Sequence, residues 1–281
     1  MTRVTNGALR GLLAALLVAT PSLLLPGVSP DTTEVVALVG LALAALVWIE
    51  YATHYPSLIE FRDAPPFNRI RFMGLFATVF FLSLLVRGQA EASGLTLFVL
   101  ALGHVLGTIL DFAYSPVRLV LHSLPETATQ SEVLLVRAAA GFAFMAAFIS
   151  FIIFYLILKL ADWPRRMGAF NVWINLPTFD PTTGGDVVTR LRRDARLNLA
   201  LGFLLPFVLP AVMKASSAVF GPVSFSAGQT MVWLVAAWAF LPLSLFMRGI
   251  AMDRVADMIV EIRRRTSASH EEQPEIFATP G

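Results

Sequence analysis

Seven long apolar stretches limit what this chain can fold into more than any other feature of its sequence. An α-helix needs roughly 20 apolar residues to cross the ~30 Å hydrocarbon core of a bilayer. Because lipid offers the backbone no hydrogen-bond partners, each crossing segment has to be helical. We therefore expect an all-α, polytopic integral membrane protein of about seven hydrophobic helices with interfacial amphipathic segments. The seven stretches are Ala8–Leu25, Val35–Tyr55, Ile70–Val86, Leu95–Tyr114, Leu134–Leu160, Leu197–Met213 and Met231–Met247.

The composition of the 281 residues supports this class and excludes others. Apolar residues make up 57% of the chain and charged residues 14%, against about 45–50% and roughly 25% in an ordinary soluble domain. A soluble enzyme, a disordered regulator and a nucleic-acid-binding domain are excluded on these figures, and no nucleic acid partner is expected. Cysteine is absent, which excludes disulfides, thiolate metal sites and cysteine nucleophiles.

The distribution of Lys and Arg predicts which helix ends face the cytoplasm, since cytoplasmic loops carry an excess of these residues. Seven cations lie in Lys159–Arg196, and five more follow the seventh stretch, between Arg248 and Arg265. Both regions are predicted to be cytoplasmic, because the two spans between them return the chain to the same side. The C-terminus is therefore expected inside.

The N-terminal half leaves two arrangements open. Seven full crossings put the N-terminus outside and 13 of the 21 cations inside. If Leu95–Tyr114 is a re-entrant segment that enters and leaves on one face, the N-terminus moves inside and 17 cations lie inside. An apolar helix of about 20 residues usually crosses. Seven spans with an external N-terminus is therefore the expectation, and six spans plus one re-entrant segment is the alternative.

Residues 1–265 are expected to form a single transmembrane helical domain. Ala161–Arg196 is too short to bury a core of its own, and its aromatic and cationic residues are typical of a loop in the headgroup layer. Over residues 248–266 an apolar stripe with Asp253, Asp257 and Glu261 at four-residue spacing predicts an amphipathic helix. The polar, Pro-containing residues 267–281 are expected to form a disordered tail.

Ionisable residues inside apolar helices are costly and mark candidate sites. His104 lies near the middle of the fourth stretch, and spacings of four and three residues place Thr108 and Asp111 on the same helical face. This trio is a candidate proton relay or ligand site. The alternative is structural, with His104 bonded to a neighbouring helix and Asp111 reaching the interface.

A second candidate cluster ends the second stretch. Glu50 and His54 are four residues apart and share a helical face, among aromatic residues that are typical of a membrane interface. The loop Glu60–Arg71 that follows is dense in charge and contains Pro65 and Pro66. Such a loop docks a protein or a lipid headgroup, or it anchors the two spans beside it.

Four arginines before the sixth span predict contact with anionic lipid headgroups, where each cation contributes on the order of 1 kcal/mol. These are Arg190, Arg192, Arg193 and Arg196.

Motifs for cofactors and metals are missing from the sequence. It contains no H-E-x-x-H, no G-x-x-x-x-G-K-[ST] and no G-x-S-x-G. Only His104 of the four histidines lies deep in an apolar stretch, which disfavours a transmembrane haem. We therefore predict no cofactor and no metal.

The missing motifs favour a non-enzymatic function. We expect an accessory, assembly or scaffolding component of a membrane complex, with a membrane-protein partner, and the arginine-rich composition suits a bacterial inner membrane. One alternative is a transporter or channel for a small solute or proton that uses His104 and Asp111. A third hypothesis, an enzyme acting on lipid or quinone, needs Glu50 and His54 to converge with His104 and Asp111.

Overall fold

The computed structural model describes residues 3–165, 170–180, 182, 184–220 and 228–271, and the regular structure of these residues is helical. Six of the helices are long and apolar enough to cross a membrane, so the protein is a multi-pass membrane protein of the all-α class. The helices are α1 Arg3–Leu24, α2 Pro30–Ala52, α3 Phe67–Arg87, α4 Gly94–Leu110, α5 Pro116–His122, α6 Gln130–Leu160, α7 Val172–Asn175, α8 Val187–Phe220 and α9 Gly228–Glu271.

Helix starts follow from local sequence signals. Before α2, the Ser29 side chain accepts from the Thr32 N–H and Pro30 occupies the first turn. A reciprocal capping box begins α6. The Thr129 hydroxyl accepts from the Glu132 N–H, and the Glu132 carboxylate accepts from the Thr129 N–H. These caps satisfy backbone donors that the first helical turn leaves without partners.

The predicted fourth span is shorter than expected. Helix α4 has 17 residues and ends at Leu110, with Asp111 as its C-cap, so residues 111–114 of the predicted stretch are not helical. Helix α4 is the shorter apolar helix beside the six long ones.

Helix α6 runs antiparallel to α3 through the middle of the bundle. A Cβ on Gly74 of α3 would lie 2.9 Å from the Ser150 Cβ of α6, and the rings of Phe81 and Phe142 are 5.8 Å apart. The 53–66 connection and the end of α6 therefore lie at one face of the bundle. The connections 25–29, 88–93 and 123–129 lie at the opposite face.

Helix α4 crosses α6 at closely packed glycines near that opposite face. A Cβ on Gly107 would come within 2.5 Å of the Arg137 carbonyl oxygen, and a Cβ on Gly141 would meet the Gly107 backbone directly. Gly103 packs against Leu85 and Ala138 in the same way. Gly103 and Gly107, a G-x-x-x-G pair, thus allow two backbones to approach closely.

Helices α8 and α9 form a long antiparallel hairpin. Pro210 has no N–H, so the Pro206 carbonyl loses its helical donor. The Trp238 Nε1 of α9 donates to that carbonyl at 3.0 Å, which satisfies the oxygen inside the apolar region. The predicted C-terminal amphipathic segment is continuous with the last span, because α9 runs unbroken from Gly228 to Glu271. The predicted tail begins inside this helix, and its residues 272–281 lie outside the described residues.

The 161–186 connection and residues 53–66 lie at the same face of the bundle. We call this face the arginine-rich face. The Phe61 N–H donates to the Asn175 carbonyl at 2.6 Å. Trp163, predicted within a loop in the headgroup layer, is instead 2% exposed and packs against Phe61 and Phe170. An apolar cluster therefore continues under this face.

Helices α1 and α2 pair along their length and meet the rest of the bundle through α1. Gly11 packs against Ala44, and Gly40 packs against Ala15. At the opposite face, Gln229 of α9 donates to the Ser22 hydroxyl at 2.5 Å. At the arginine-rich face, α1 is separated from α3 and α9 by a cleft.

Candidate functional site

The cleft between α1, α3 and α9 has a volume of about 1320 Å³. Small-molecule sites commonly measure about 300–1,000 Å³, so this space suits a larger ligand. Residues 58–63 of the connecting loop close it on one side. Six arginines and two acids line it: Arg3, Arg10, Arg62, Arg69, Arg71 and Arg248, with Glu60 and Asp63.

Glu50 holds the start of this loop against the end of α2. Its carboxylate accepts from the Ser57, Leu58 and Ile59 N–H groups at 3.0–3.2 Å and from the Ser57 hydroxyl at 2.5 Å. Glu50 is 5% exposed. This predicted site residue thus satisfies loop donors and is not among the residues that line the cleft.

Arg62, which lies in this loop, also joins the loop to the end of α2. Its Nη1 donates to the Glu50 and Thr53 carbonyls at 3.0 and 2.7 Å, and its Nη2 donates to the His54 carbonyl. The Nε pairs with Asp63 at 3.1 Å. Arg62 therefore caps the C-terminal carbonyls of α2, where a cation also complements the helix dipole.

Glu60 joins the loop to α9 and to the 170–180 segment. Its carboxylate accepts from the Arg248 guanidinium at 2.5 and 2.7 Å and from the Thr178 hydroxyl at 2.6 Å. Burial raises the pKa of Glu60, but donation from Arg248 and Thr178 outweighs burial and holds this pKa below its ordinary value. Glu60 is therefore charged at neutral pH and neutralises Arg248.

Arg71 is a half-buried cation that forms no ion pair among the described residues. Its Nε is buried and has no hydrogen-bond partner among the described residues, and within this part of the chain no carboxylate lies within 4 Å of it. The nearby carboxylate of Glu60 is already paired with Arg248. The guanidinium lies 5.0 Å from the centre of the Phe67 ring. An uncompensated charge in this environment costs several kcal/mol, so Arg71 is the residue of the cleft that most needs a ligand.

Arg10 lies across the cleft on α1. Its guanidinium stacks over the Tyr51 ring of α2, 3.9 Å from the ring centre. A planar guanidinium that stacks on a ring keeps its N–H edges free to donate. Arg10 and Arg71 thus line the same cleft.

The deeper walls of the cleft are apolar. Away from the arginine-rich face, α1 contributes Leu13 and Leu16, α3 contributes Leu75 and Phe76, and α9 contributes Leu241. Leu16 and Leu241 are 42% and 59% exposed. The cleft therefore combines a cationic rim with an apolar interior.

The fourth-helix trio does not form a shared polar site. The Thr108 side chain is exposed and donates to the His104 carbonyl of its own helix at 2.8 Å. Asp111 accepts from Arg118 and pairs with Arg137 at 3.7 Å. His104 is half-buried. Asp111 therefore connects α4, α5 and α6, and its charge is compensated.

The two predicted clusters lie at opposite ends of α3. Glu50 contacts the loop that precedes Phe67, whereas α4 contacts α3 near Leu85. Eighteen residues of helix separate these positions by about 27 Å. The structure does not bring Glu50 and His54 together with His104 and Asp111.

Three of the four arginines predicted to contact headgroups have protein partners. Arg190 donates to the Asp180 carbonyl and stacks over Phe179. Arg192 pairs with Asp257 of α9 at 2.9 Å, and Arg193 lies 3.4 Å from Asp194. Arg196 is exposed. Much of this cluster ties α8 to its neighbours.

We expect Glu60→Gln to destabilise the protein at neutral pH by roughly 2 kcal/mol, because a charged hydrogen-bond pair is lost and Arg248 keeps its charge. Since the folded-state pKa of Glu60 lies below 4.5, its contribution is complete above that pH and is lost as the pH falls through the lowered pKa. Melting temperatures in detergent between pH 7 and pH 3 should therefore converge for wild type and variant at the acid end.

Glu91→Gln is the matched control. Glu91 pairs with Arg87, but its side chain is 51% exposed, and a surface pair of this kind contributes about 0–1 kcal/mol. A Glu60→Gln protein as stable as wild type at pH 7 would contradict the assigned role of Glu60.

No family model, curated protein or solved structure matches this chain. Among the described residues there is also no group of three or more His, Asp or Glu side chains that could hold a metal ion.

Proposed function

We propose that this protein binds an anionic lipid, with the headgroup at Arg71 and the acyl chains along the apolar walls of the cleft. The observation that carries the proposal is Arg71 itself, a half-buried arginine whose Nε is buried without a partner and which forms no ion pair among the described residues, at a cleft open to a ligand. Ionisable groups at membrane depth face partners or cavities and mark functional sites.

A lipid fits both parts of the cleft, whereas a soluble anion fits one. An anion at the cationic rim would compensate Arg71 and make no contact with the apolar walls between Leu13 and Leu241. Acyl chains would contact those walls with many favourable dispersion interactions. The combination favours an amphiphile drawn from the surrounding leaflet.

We further propose that six helices cross the membrane and that α4 returns to the face from which it enters. Three observations support this arrangement: α4 has 17 residues, α6 is antiparallel to α3, and α4 crosses α6 near the opposite face. Both termini then lie at the arginine-rich face with 17 of the 21 cations. The positive-inside rule makes that face cytoplasmic, in a bacterial inner membrane.

The accessory or scaffolding role stays a second proposal, and it is compatible with lipid binding. Helix α9 continues for 23 residues beyond Arg248, or about 35 Å, and carries exposed Val260 and Ile262. A partner that copurifies stoichiometrically in mild detergent would support this role, and a monomer without a partner would count against it. The transporter hypothesis remains a prediction. The lipid- or quinone-enzyme hypothesis also remains a prediction, but the convergence of the second and fourth helices' polar residues that it needs is not found.

Compartment-sensitive reporters test the topology. A reporter at the N-terminus and one inserted near Ser57 should both report the cytoplasm if six helices cross, whereas seven crossings put both outside. A third reporter near Pro125 serves as control, because it lies outside in either arrangement. An external N-terminal reporter, with the third reporter also outside, would refute the six-span proposal.

Arg71→Gln tests lipid binding. We expect the variant to lose affinity for phosphatidylglycerol by about 10- to 100-fold, since a charged hydrogen bond contributes roughly 1.5–3 kcal/mol. Native mass spectrometry of the detergent-solubilised protein, titrated with the lipid, measures the change. The lipid-free variant should melt no lower than wild type, because an unpaired buried charge has been removed.

Arg165→Gln is the control for unspecific attraction between arginines and anionic lipid. Arg165 lies at the same face, its side chain is 50% exposed, and its nearest carboxylate, Asp162, is 3.9 Å away. We expect its affinity to equal that of wild type. Equal losses in both variants, or no loss in Arg71→Gln, would contradict the proposed site.

A further inference from the structure

We infer that the bound headgroup ends in a phosphate monoester, which carries two negative charges, and not in a singly charged phosphodiester. This inference rests on the proposed function and specifies the chemistry of the same site. The observations that carry it are the charge balance of the rim and the two guanidiniums that face one space.

The charge balance is uneven because both acids of the cleft are already neutralised. Asp63 pairs with Arg62 at 3.1 Å, and Glu60 pairs with Arg248 at 2.5 Å. The remaining four arginines of the lining have no carboxylate within 4 Å among the described residues: Arg3, Arg10, Arg69 and Arg71. Arg3 and Arg69 are exposed, so the charge that a ligand would compensate lies on the half-buried Arg10 and Arg71. A phosphodiester with one charge would leave half of it uncompensated.

Hydrogen-bond geometry leads to the same ligand. Arg10 and Arg71 each lie against an aromatic ring, of Tyr51 and Phe67 respectively. Ring contact orients a guanidinium and leaves its N–H edges to donate in pairs to phosphate oxygens. A phosphate monoester offers three terminal oxygens and a charge of about −1.5 to −2 at pH 7. A diester offers two such oxygens, which is enough for bidentate contact with one guanidinium.

The two arginines therefore have separable roles. Arg71 lies on α3 beside the loop that Glu60 ties down, and it would bind the phosphate of any anionic lipid. Arg10 lies on the opposite wall, and it would bind the additional oxygen and charge of a monoester. Arg10 is thus the residue that we expect to determine specificity.

The test compares phosphatidic acid with phosphatidylmethanol of identical acyl chains, since the two lipids differ by one methyl group and one ionisable oxygen. With full-length protein in mild detergent at pH 8, we expect at least tenfold tighter binding of phosphatidic acid by native mass spectrometry. Arg10→Gln should reduce this preference to less than threefold and leave phosphatidylmethanol binding nearly unchanged. Arg71→Gln should weaken binding of both lipids.

Lowering the pH provides an independent readout. The second pKa of a phosphate monoester is about 6, so the preference should shrink as the pH falls from 8 to 5. The charged groups that face the ligand are the arginines, Glu60 and Asp63, and no histidine is among the described residues that line the cleft. The pKa of Glu60 is held low, so Glu60 stays charged over this range.

The outcomes separate the inference from the proposed function. Equal affinity for the two lipids, with both dependent on Arg71, would overturn the monoester inference and leave lipid binding intact. Binding that does not depend on Arg71 would overturn both. Glycerol 3-phosphate that binds as tightly as phosphatidic acid would show that the acyl chains contribute nothing and would overturn the lipid proposal, whereas much weaker binding of glycerol 3-phosphate would support it. If Arg10→Gln does not fold, Arg10→Lys keeps the charge without the fork and should show a reduced preference.

Discussion

A charge that leaves water needs a partner, and this constraint organises the arginine-rich face of the protein. Arg62 is 5% exposed and is compensated by three carbonyls and Asp63. Arg248 is compensated by Glu60. Because these contacts join the end of α2, the following loop and α9, compensation of charge also builds the floor of the cleft. Arg71 lies within this arrangement and is left without an anion, which a purely structural role does not explain.

The rest of the architecture follows from the need to hydrogen-bond every backbone N–H and C=O group that lies in lipid. Each long helix bonds its own backbone, and where a proline interrupts that pattern a neighbouring side chain replaces the bond, as Trp238 does at Pro206. Glycines then set how closely helices approach. At Gly107 and Gly141 two backbones touch, which allows a short α4 to pack across α6 and places Asp111 beside Arg118 and Arg137.

The fold class could be predicted because apolar length and helix periodicity are local properties of the sequence, and each of the six long helices overlaps a predicted span. The length of α4 could not be predicted, because its end lies where Asp111 pairs with arginines on two other helices. The cleft was missed for a similar reason. Charge density in Glu60–Arg71 indicated a headgroup site or an anchor, but only the packed structure separates Arg62, which is compensated, from Arg71, which is not. Glu50 was singled out because it shares a helical face with His54 at the end of the second stretch, and the structure shows it buried against the donors of the loop that follows.

The polar contacts of α1 account for the end of the molecule at which the cleft lies. At the opposite face, Gln229 of α9 donates to the Ser22 hydroxyl of α1 and joins the two helices. At the arginine-rich face, the two acids that line the cleft pair with Arg62 and Arg248, and Arg10 of α1 stacks on Tyr51 of α2. Among the described residues, no ion pair therefore joins α1 to α3 or α9 at this end, which is where the cleft lies between these helices.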